Sequence, residues 1–227
     1  MRKSYALFDF DGTLRRGDSI VALCAFARKR GLCGVGRSLE GGWAAAQYLL
    51  HLRSAKSAKE ISLSFLNVLA DVDALCRDFC REVLVPQLRP DGLKALRERR
   101  DAGCEALLIT ASPAFYLQPL AKTLGVQAII GTRMERVEDG RWLISGDDCK
   151  GVQKPLRLAE YLAATGDELD YATSWAYGDS LSDLPMLELC AHKIAVNPKP
   201  KLWQSVRGLE GARRESWPEP SSQQEAD

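Results

Sequence analysis

The apolar run Tyr5-Ala6-Leu7-Phe8 stops abruptly at Asp9-Phe10-Asp11-Gly12, and this junction constrains the chain more than any other stretch. A short run of aromatic and aliphatic residues ended by acids and glycine is the pattern of a buried strand. In an open parallel sheet the carboxyl ends of the strands face the ligand crevice, so acids placed there point at chemistry. The two-residue period of a strand puts Asp9 and Asp11 on one side if the chain stays extended. Two carboxylates that close repel, and a fold tolerates them only with a cation between them or a raised pKa on one. A hard-cation site is the expectation. D-x-D-G also opens calcium loops, but those need glycine at the sixth position, where this chain has Leu14, and a helix in front. An ordinary strand-to-turn junction is the other alternative.

Two later runs end in comparable groups. Glu105 to Thr110 reads as a second buried strand, followed by Ala111-Ser112-Pro113. A hydroxyl here, with the free amides of a helix expected to start at Pro113, makes an anion site. Thr110 is favoured for that hydroxyl; Ser112 competes for it, or is simply an N-cap. Ser174 to Tyr177 reads as the last core strand before Gly178-Asp179-Ser180-Leu181-Ser182-Asp183, and Ala191 to Val196 as a further strand. A helix cap would explain one of these two acids but not both. Lys150 and Lys154 precede a helix expected over 156–164, where a solvated lysine is the ordinary explanation.

Between the first two strands the spacing predicts only helices, over 20–28 with Ser19 as N-cap, 43–52, 57–69 and 72–85. The segment Trp43 to Leu52 is apolar nearly all round, so it is expected to be buried on most sides or to face an apolar ligand. An insertion of this length is a second, smaller domain rather than a loop. Arg15-Arg16-Gly17 and Pro86 to Pro90 are suitable hinges, although a helical module that only packs is also consistent. Further on, a helix is expected over 93–101 and another over 115–124 ended by Gly125, then a strand over 126–131. A hairpin follows over 132–145 with Asp139-Gly140 at its tip. Residues 209–227 are short of apolar groups and are expected to form a disordered tail.

With 31 basic and 30 acidic residues the chain has no general attraction to nucleic acid or anionic membranes, so any basic recognition must be local. The seven cysteines are scattered without a C-x-x-C pair and only two histidines are present, which argues for reduced thiols in a cytoplasmic protein rather than zinc. No secretory signal and no run of membrane-spanning length is apparent.

These motifs, in this order, resemble those of the haloacid dehalogenase (HAD) superfamily, whose first motif is an apolar strand followed by D-x-D-G-T. The resemblance implies an α/β fold: a Rossmann-like three-layer core around a parallel sheet, formed by residues 1–15 and 86–208, with an all-helical type I cap over 16–85. It implies Asp9 as the nucleophile that forms an aspartyl-phosphate and Asp11 as the general acid/base, with Thr13 in support. Thr110 matches the second motif, and Lys154, with Leu158 four residues on, the third. Asp179 and Asp183 match the fourth, Asp183 orienting a water or the lysine. Mg2+ would be held by Asp9, Asp179 and the backbone carbonyl of Asp11.

The expected activity is phosphomonoester hydrolysis on a small-molecule phosphate. The closest subgroup, subfamily IB, contains phosphoserine phosphatase, where an acid nine positions after the nucleophile reads the substrate amine; Asp18 stands there. The cap segment with a carboxylate-binding arginine is not found; Trp43 to Leu52 is apolar, with Arg53 and Lys56 just beyond. A polar phosphate such as histidinol phosphate fits, and a lipid phosphate of the phosphatidylglycerophosphate kind is the alternative, the one case in which membrane contact is expected. Phosphotransfer to another acceptor, or a non-catalytic binding module, are the remaining rivals. Oligomeric state is not legible.

Overall fold

The computed structural model describes residues 1–220; expectations for 221–227 lie outside the described residues. After a two-residue strand β1 (Arg2–Lys3), the apolar run forms β2 (Tyr5–Phe8). There follow α1 (Ser19–Lys29), α2 (Val35–Leu49), α3 (Ala55–Ser62), α4 (Val72–Phe79) and α5 (Pro90–Asp101). Next come β3 (Glu105–Pro113), α6 (Leu120–Leu124), β4 (Ala128–Thr132) and the hairpin strands β5 (Met134–Arg136) and β6 (Trp142–Ile144). The chain continues with α7 (Gln153–Thr165), β7 (Glu168–Leu169), β8 (Trp175–Gly178), α8 (Leu184–Leu187), β9 (His192–Val196), α9 (Pro200–Val206) and β10 (Ala212–Glu215).

Six strands form one parallel sheet in the order β10-β9-β8-β2-β3-β4. Their side chains alternate between two cores, which is why both parities of β2 are apolar. Ala6 and Phe8, with Leu108 and Tyr177, pack against Leu23 and Phe26 of α1, Phe79 of α4 and Leu96 of α5. Tyr5 and Leu7, with Leu107, Ile109 and Ala176, pack against Leu158 of α7, Met186 of α8 and Leu202 of α9. The result is three layers, as the resemblance implied. From β2 the chain adds β3 and β4 on one side, then crosses back to add β8, β9 and β10 on the other. The carboxyl ends of β2 and β8 therefore flank a topological switch point, where a crevice opens.

Between β2 and α5 the chain forms helices, turns and connecting loops, with two isolated bridges, Asp11 to Arg15 and Arg15 to Leu88, and, among these described residues, no ladder strand. The two connections to this insertion run side by side: the Arg89 amide donates to the Leu14 carbonyl at 2.8 Å, and Arg15 bridges Leu88 antiparallel. At its far side, Glu60 accepts from the Ile144 amide at 2.9 Å and Asn67 from the Trp142 amide at 2.8 Å, seating the insertion on the β5–β6 hairpin.

Several expectations need correction. The cap of α1 is Asp18, which accepts from the amides of Ile20 and Val21, and Ser19 is the first helical residue. No helix begins at Pro113, which ends β3; a single 3-10 turn follows at Ala114–Tyr116, so no α-helix terminus stands there. The glycines at 36, 41 and 42 do not interrupt α2, and the helix is not buried on most sides. Only Gly41 and Ala44 are buried, while Trp43 is 66% exposed.

The expected tail is ordered through residue 220 to this extent: Ala212–Glu215 pairs with β9, and Trp217 is buried against Tyr177 at 5.7 Å between ring centroids. Sparse apolar content misled because one tryptophan and a ladder of backbone hydrogen bonds suffice to hold an edge strand. All seven cysteines are free, and six are buried. Among the described residues no helix is long and apolar enough to cross a membrane.

Trp217 closes a gap beside Gly92, where an added Cβ would lie 3.2 Å from its ring. Trp217→Ala is expected to lower unfolding stability by about 3 kcal/mol. Urea denaturation followed by circular dichroism checks this; an unchanged midpoint would mean the segment contributes no packing.

Candidate active site

Asp9 immediately follows β2, where its amide donates to the Tyr177 carbonyl of β8 at 3.0 Å. Its odd parity sends the side chain to the Tyr5 and Leu7 face, toward the start of α7. There the Lys154 ammonium, 1% exposed, donates to Asp9 Oδ1 at 2.7 Å, to Asp183 Oδ1 at 2.7 Å and to the Ile109 carbonyl at 2.9 Å. Thr13 Oγ1 donates to Asp9 Oδ2 at 2.9 Å.

The chain does not stay extended past Asp9. The amides of Thr13, Leu14 and Arg15 all turn back onto the Phe10 carbonyl, and Gly12 takes a φ of 98°. Asp11 is thereby thrown to the other side, away from Lys154. Its Oδ1 accepts from Arg15 Nη1 and the Ser19 amide, each at 3.0 Å, and its Oδ2 accepts from Ser19 Oγ and Ser112 Oγ, each at 2.6 Å. Tyr116 supports this ring through Ser19, 2.8 Å away. Burial pushes the Asp11 carboxyl up from its ordinary range, and the Ser112 and Ser19 hydroxyls hold it back only in part.

Asp179 and Asp183 enter from β8. The turn after the strand is a capping box in which Asp183 Oδ2 takes the Ser180 amide at 2.9 Å, the Ser180 hydroxyl at 3.0 Å and the Asp179 amide at 3.2 Å. Burial pushes Asp183 up, but Lys154 and these donors outweigh it and hold its carboxyl below the usual range. Asp9 has fewer donors; burial and then the like charge of Asp183 raise it, against the pull of Lys154. The Asp179 carboxylate lies against Lys199, 2.9 Å from its ammonium. Burial raises Asp179 and that contact lowers it, the rise prevailing.

One carboxylate oxygen from each of Asp9, Asp179 and Asp183 lies within 4.8 Å of the others. Three buried acids facing one deeply buried lysine leave a surplus of negative charge. That donor set, all hard oxygens, fits a divalent cation such as Mg2+. The side chain of Asp11 is not part of the group, so any ligation by Asp11 falls to its backbone carbonyl.

All six residues picked from the four motifs line one cavity of about 250 Å3. Thr110, 1% exposed, sits at its floor with Oγ1 accepting from the Ser112 amide at 3.1 Å. Asp18 lines the same cavity, although its Oδ1 is occupied in capping α1. Thr13 reaches the cavity only through Asp9.

Four residues escaped the sequence reading. Ser19 looked like a cap, Arg15 like a hinge residue, and Lys199 was hidden behind the strand breaker Asn197-Pro198. Lys59 of α3 reaches across to the Ala111 carbonyl at 2.7 Å and to the Asp148 carboxylate. Only the Lys-Pro pair at 199–200, a typical helix start, carried a local signal. The others act across the fold.

The family model for haloacid dehalogenase-like hydrolases matches residues 6–188. A protein of Neisseria meningitidis called histidinol-phosphatase is 28% identical, over 95% of this chain and 97% of its own. Protein CicA of Caulobacter vibrioides is 32% identical over 82% of each. A crystal structure of a protein with unknown function from Bordetella pertussis Tohama I superposes with a TM-score of 0.82 at 29% identity, over 92% of this chain and 98% of that one. A substrate-bound phosphoserine phosphatase shares the fold at a TM-score of 0.63 and 19% identity, over 89% and 90%.

A Cβ on Gly12 would stand 2.4 Å from the Asp179 carboxylate, on a backbone conformation that disfavours any side chain. Gly12→Ala is therefore expected to cut turnover of an aryl phosphate by roughly a hundredfold while the fold persists, since a small displacement of a reacting group costs that much. Steady-state rates beside a circular dichroism spectrum test this; wild-type turnover would show that Asp179 is not held against the loop.

Proposed function

Because this chain belongs to the haloacid dehalogenase-like hydrolases, we propose that it is a Mg2+-dependent phosphomonoesterase working through an aspartyl-phosphate on Asp9. The observation that supports this most is the convergence of Asp9, Asp11, Thr110, Lys154, Asp179 and Asp183 on one cavity. Mg2+, held by Asp9, Asp179 and the Asp11 carbonyl, would offset the crowded carboxylates and the phosphoryl charge.

Asp9, held by Lys154 and Thr13, attacks phosphorus in line; the new bond is carboxylate oxygen to phosphorus, and the ester P–O bond breaks. Asp11, buried and raised, stays protonated long enough to give its proton to the departing alkoxide. Now anionic, it takes a proton from water as that water attacks phosphorus, which releases phosphate and restores the Asp9 carboxylate. The Ser112 hydroxyl is spent on Asp11, whereas Thr110 Oγ1 only accepts, which keeps its own proton for a phosphoryl oxygen. Lys154 neutralises charge on the transferring group. The helical segment 16–85, joined by two adjacent connections, serves as the cap that closes over the cavity and excludes water.

For the substrate we infer a small polar phosphate ester whose leaving group is cationic and carries no carboxylate. Among the described residues no arginine lines the cavity; Lys59, the lysine on the cap side, is taken by Asp148 and Ala111, and Lys150 is turned onto the Tyr48 hydroxyl at 3.1 Å. Asp18, through the carboxylate oxygen that does not cap α1, remains to receive an amine or imidazole, and a relative of similar length carries the name histidinol-phosphatase. One observation favours a second reading, a lipid phosphate. A groove of about 230 Å3 between α1 and α2, with Cys24, Ala25 and Gly42 in its wall, meets the cavity at Ile20, Val21 and Ala45.

Asp9→Asn is expected to lose roughly a thousandfold or more in kcat on an aryl phosphate, and chelation with EDTA to abolish turnover until Mg2+ is restored. Retention of more than a few per cent by the variant would remove Asp9 from the chemistry. Among phosphoserine, histidinol phosphate and phosphatidylglycerophosphate, kcat/KM is expected to be highest for histidinol phosphate. A preference for the lipid would reverse the assignment, and equally poor rates on all three would reject each.

A further inference from the structure

Helix α2 is built inside out. Gly41 and Ala44 face inward, and an added Cβ on Gly41 would lie 3.2 Å from the Ser62 Cα, so the close approach of α2 to α3 is made by the smallest side chains. The large ones point away. Val35, Leu39, Trp43, Ala46 and Leu50 recur at helical spacing along one face, and the four large ones are 64%, 69%, 66% and 66% exposed. Leu32, Leu49 and Leu52 extend the patch at both ends, so seven of the chain's seventeen exposed large apolar side chains fall within 32–52. A monomer rarely leaves such a stretch bare without using it.

The surroundings are predominantly basic. Residues 28–59 contain seven basic side chains (Arg28, Lys29, Arg30, Arg37, Arg53, Lys56 and Lys59) and one acid, Glu40, a local charge of +6 in a chain of net +1. Arg30 and Lys59 are paired to acids, but exposed Arg28, Lys29 and Arg37 make no ion pair among the described residues. A second copy of this chain is a poor occupant, because a two-fold interface would press two such positive patches together. An apolar stripe with a central tryptophan and flanking cations matches an anionic bilayer surface, whose headgroups take the cations while the stripe enters the acyl boundary.

We propose that the outer face of α2, with exposed Arg28 and Lys29 at the end of α1 and Arg37 on the adjoining groove, is a peripheral docking surface for anionic lipid bilayers. None of these residues belongs to the catalytic cluster, so docking is separable from turnover and does not depend on the substrate assignment.

The full chain is incubated with vesicles of phosphatidylcholine, with or without phosphatidylglycerol, at low and high salt, and sedimented. Binding to the anionic vesicles alone, weakened by salt, is expected. Trp43 is the most exposed of the five tryptophans, so its emission should shift to the blue and be quenched by brominated acyl chains. Leu39→Asp with Trp43→Asp is expected to weaken partitioning roughly tenfold or more, and so is Arg28→Glu with Lys29→Glu and Arg37→Glu, which leaves the apolar stripe intact. Both variants should hydrolyse a soluble aryl phosphate at the wild-type rate, a readout that tests the catalytic reading apart from this one. Failure of the wild-type chain to sediment overturns the proposal, as does unaltered binding by both variants. Self-association that Leu39→Asp with Trp43→Asp abolishes, in the absence of vesicle binding, would assign the face to another copy instead.

Discussion

The Lys154 ammonium, lodged between the carboxylates of Asp9 and Asp183, is the interaction on which the rest of the site depends. A charge this deeply buried is tolerated only when paired and fully hydrogen-bonded. Lys154 meets that condition by drawing three separate segments together: the end of β2, the turn after β8 and, through the Ile109 carbonyl, β3. Breaking any of these contacts would strand an ion in the interior. Three clustered acids face two lysines, Lys154 and the more exposed Lys199, and the negative charge left over makes a divalent cation physically appropriate there.

The two acids of the first motif are parted by the turn in which residues 13–15 fold back onto the Phe10 carbonyl. Asp9 keeps the parity of its strand and stays with Lys154, while the turn on Phe10 carries Asp11 into a ring of hydroxyls and one guanidinium. Equal side chains two positions apart thus meet unequal environments, although burial raises both carboxyls. The partners of Asp11 also include the first amide and hydroxyl of α1. The acid is therefore tied to the helix that opens the insertion, so that any movement of that segment is felt at its carboxyl.

The insertion itself has two faces with different duties. Its inner side reaches the core through Lys59, Glu60 and Asn67, each hydrogen-bonded to strands or loops outside it. Its outer side is the bare stripe of α2. Placing glycine and alanine where a helix normally puts its bulk leaves the bulk with nowhere to go but outward. Such a face costs solubility, and the row of cations beside it offsets that cost.

Strand ends announced themselves locally. Three of the four motifs end an apolar run, because a buried strand needs uninterrupted apolar residues and a turn needs glycine or an acid, and both rules act within a few positions; the third, Lys154, stands at a helix start. The parallel core, the helical insertion, the hairpin at Asp139-Gly140 and the six cavity residues were accordingly legible in the sequence. Tertiary structure alone decided the rest. Lys59 and Lys199 find their acids 89 and 20 positions away, and Arg15 and Ser19 meet Asp11, 4 and 8 positions back, only because the turn on Phe10 folds the chain onto itself. Burial of Trp217 depends on a gap beside Gly92 that no local pattern describes. The same limit applies to α2: periodicity shows that a helix is apolar, but which of its faces meets the protein is settled by how closely its neighbour can approach.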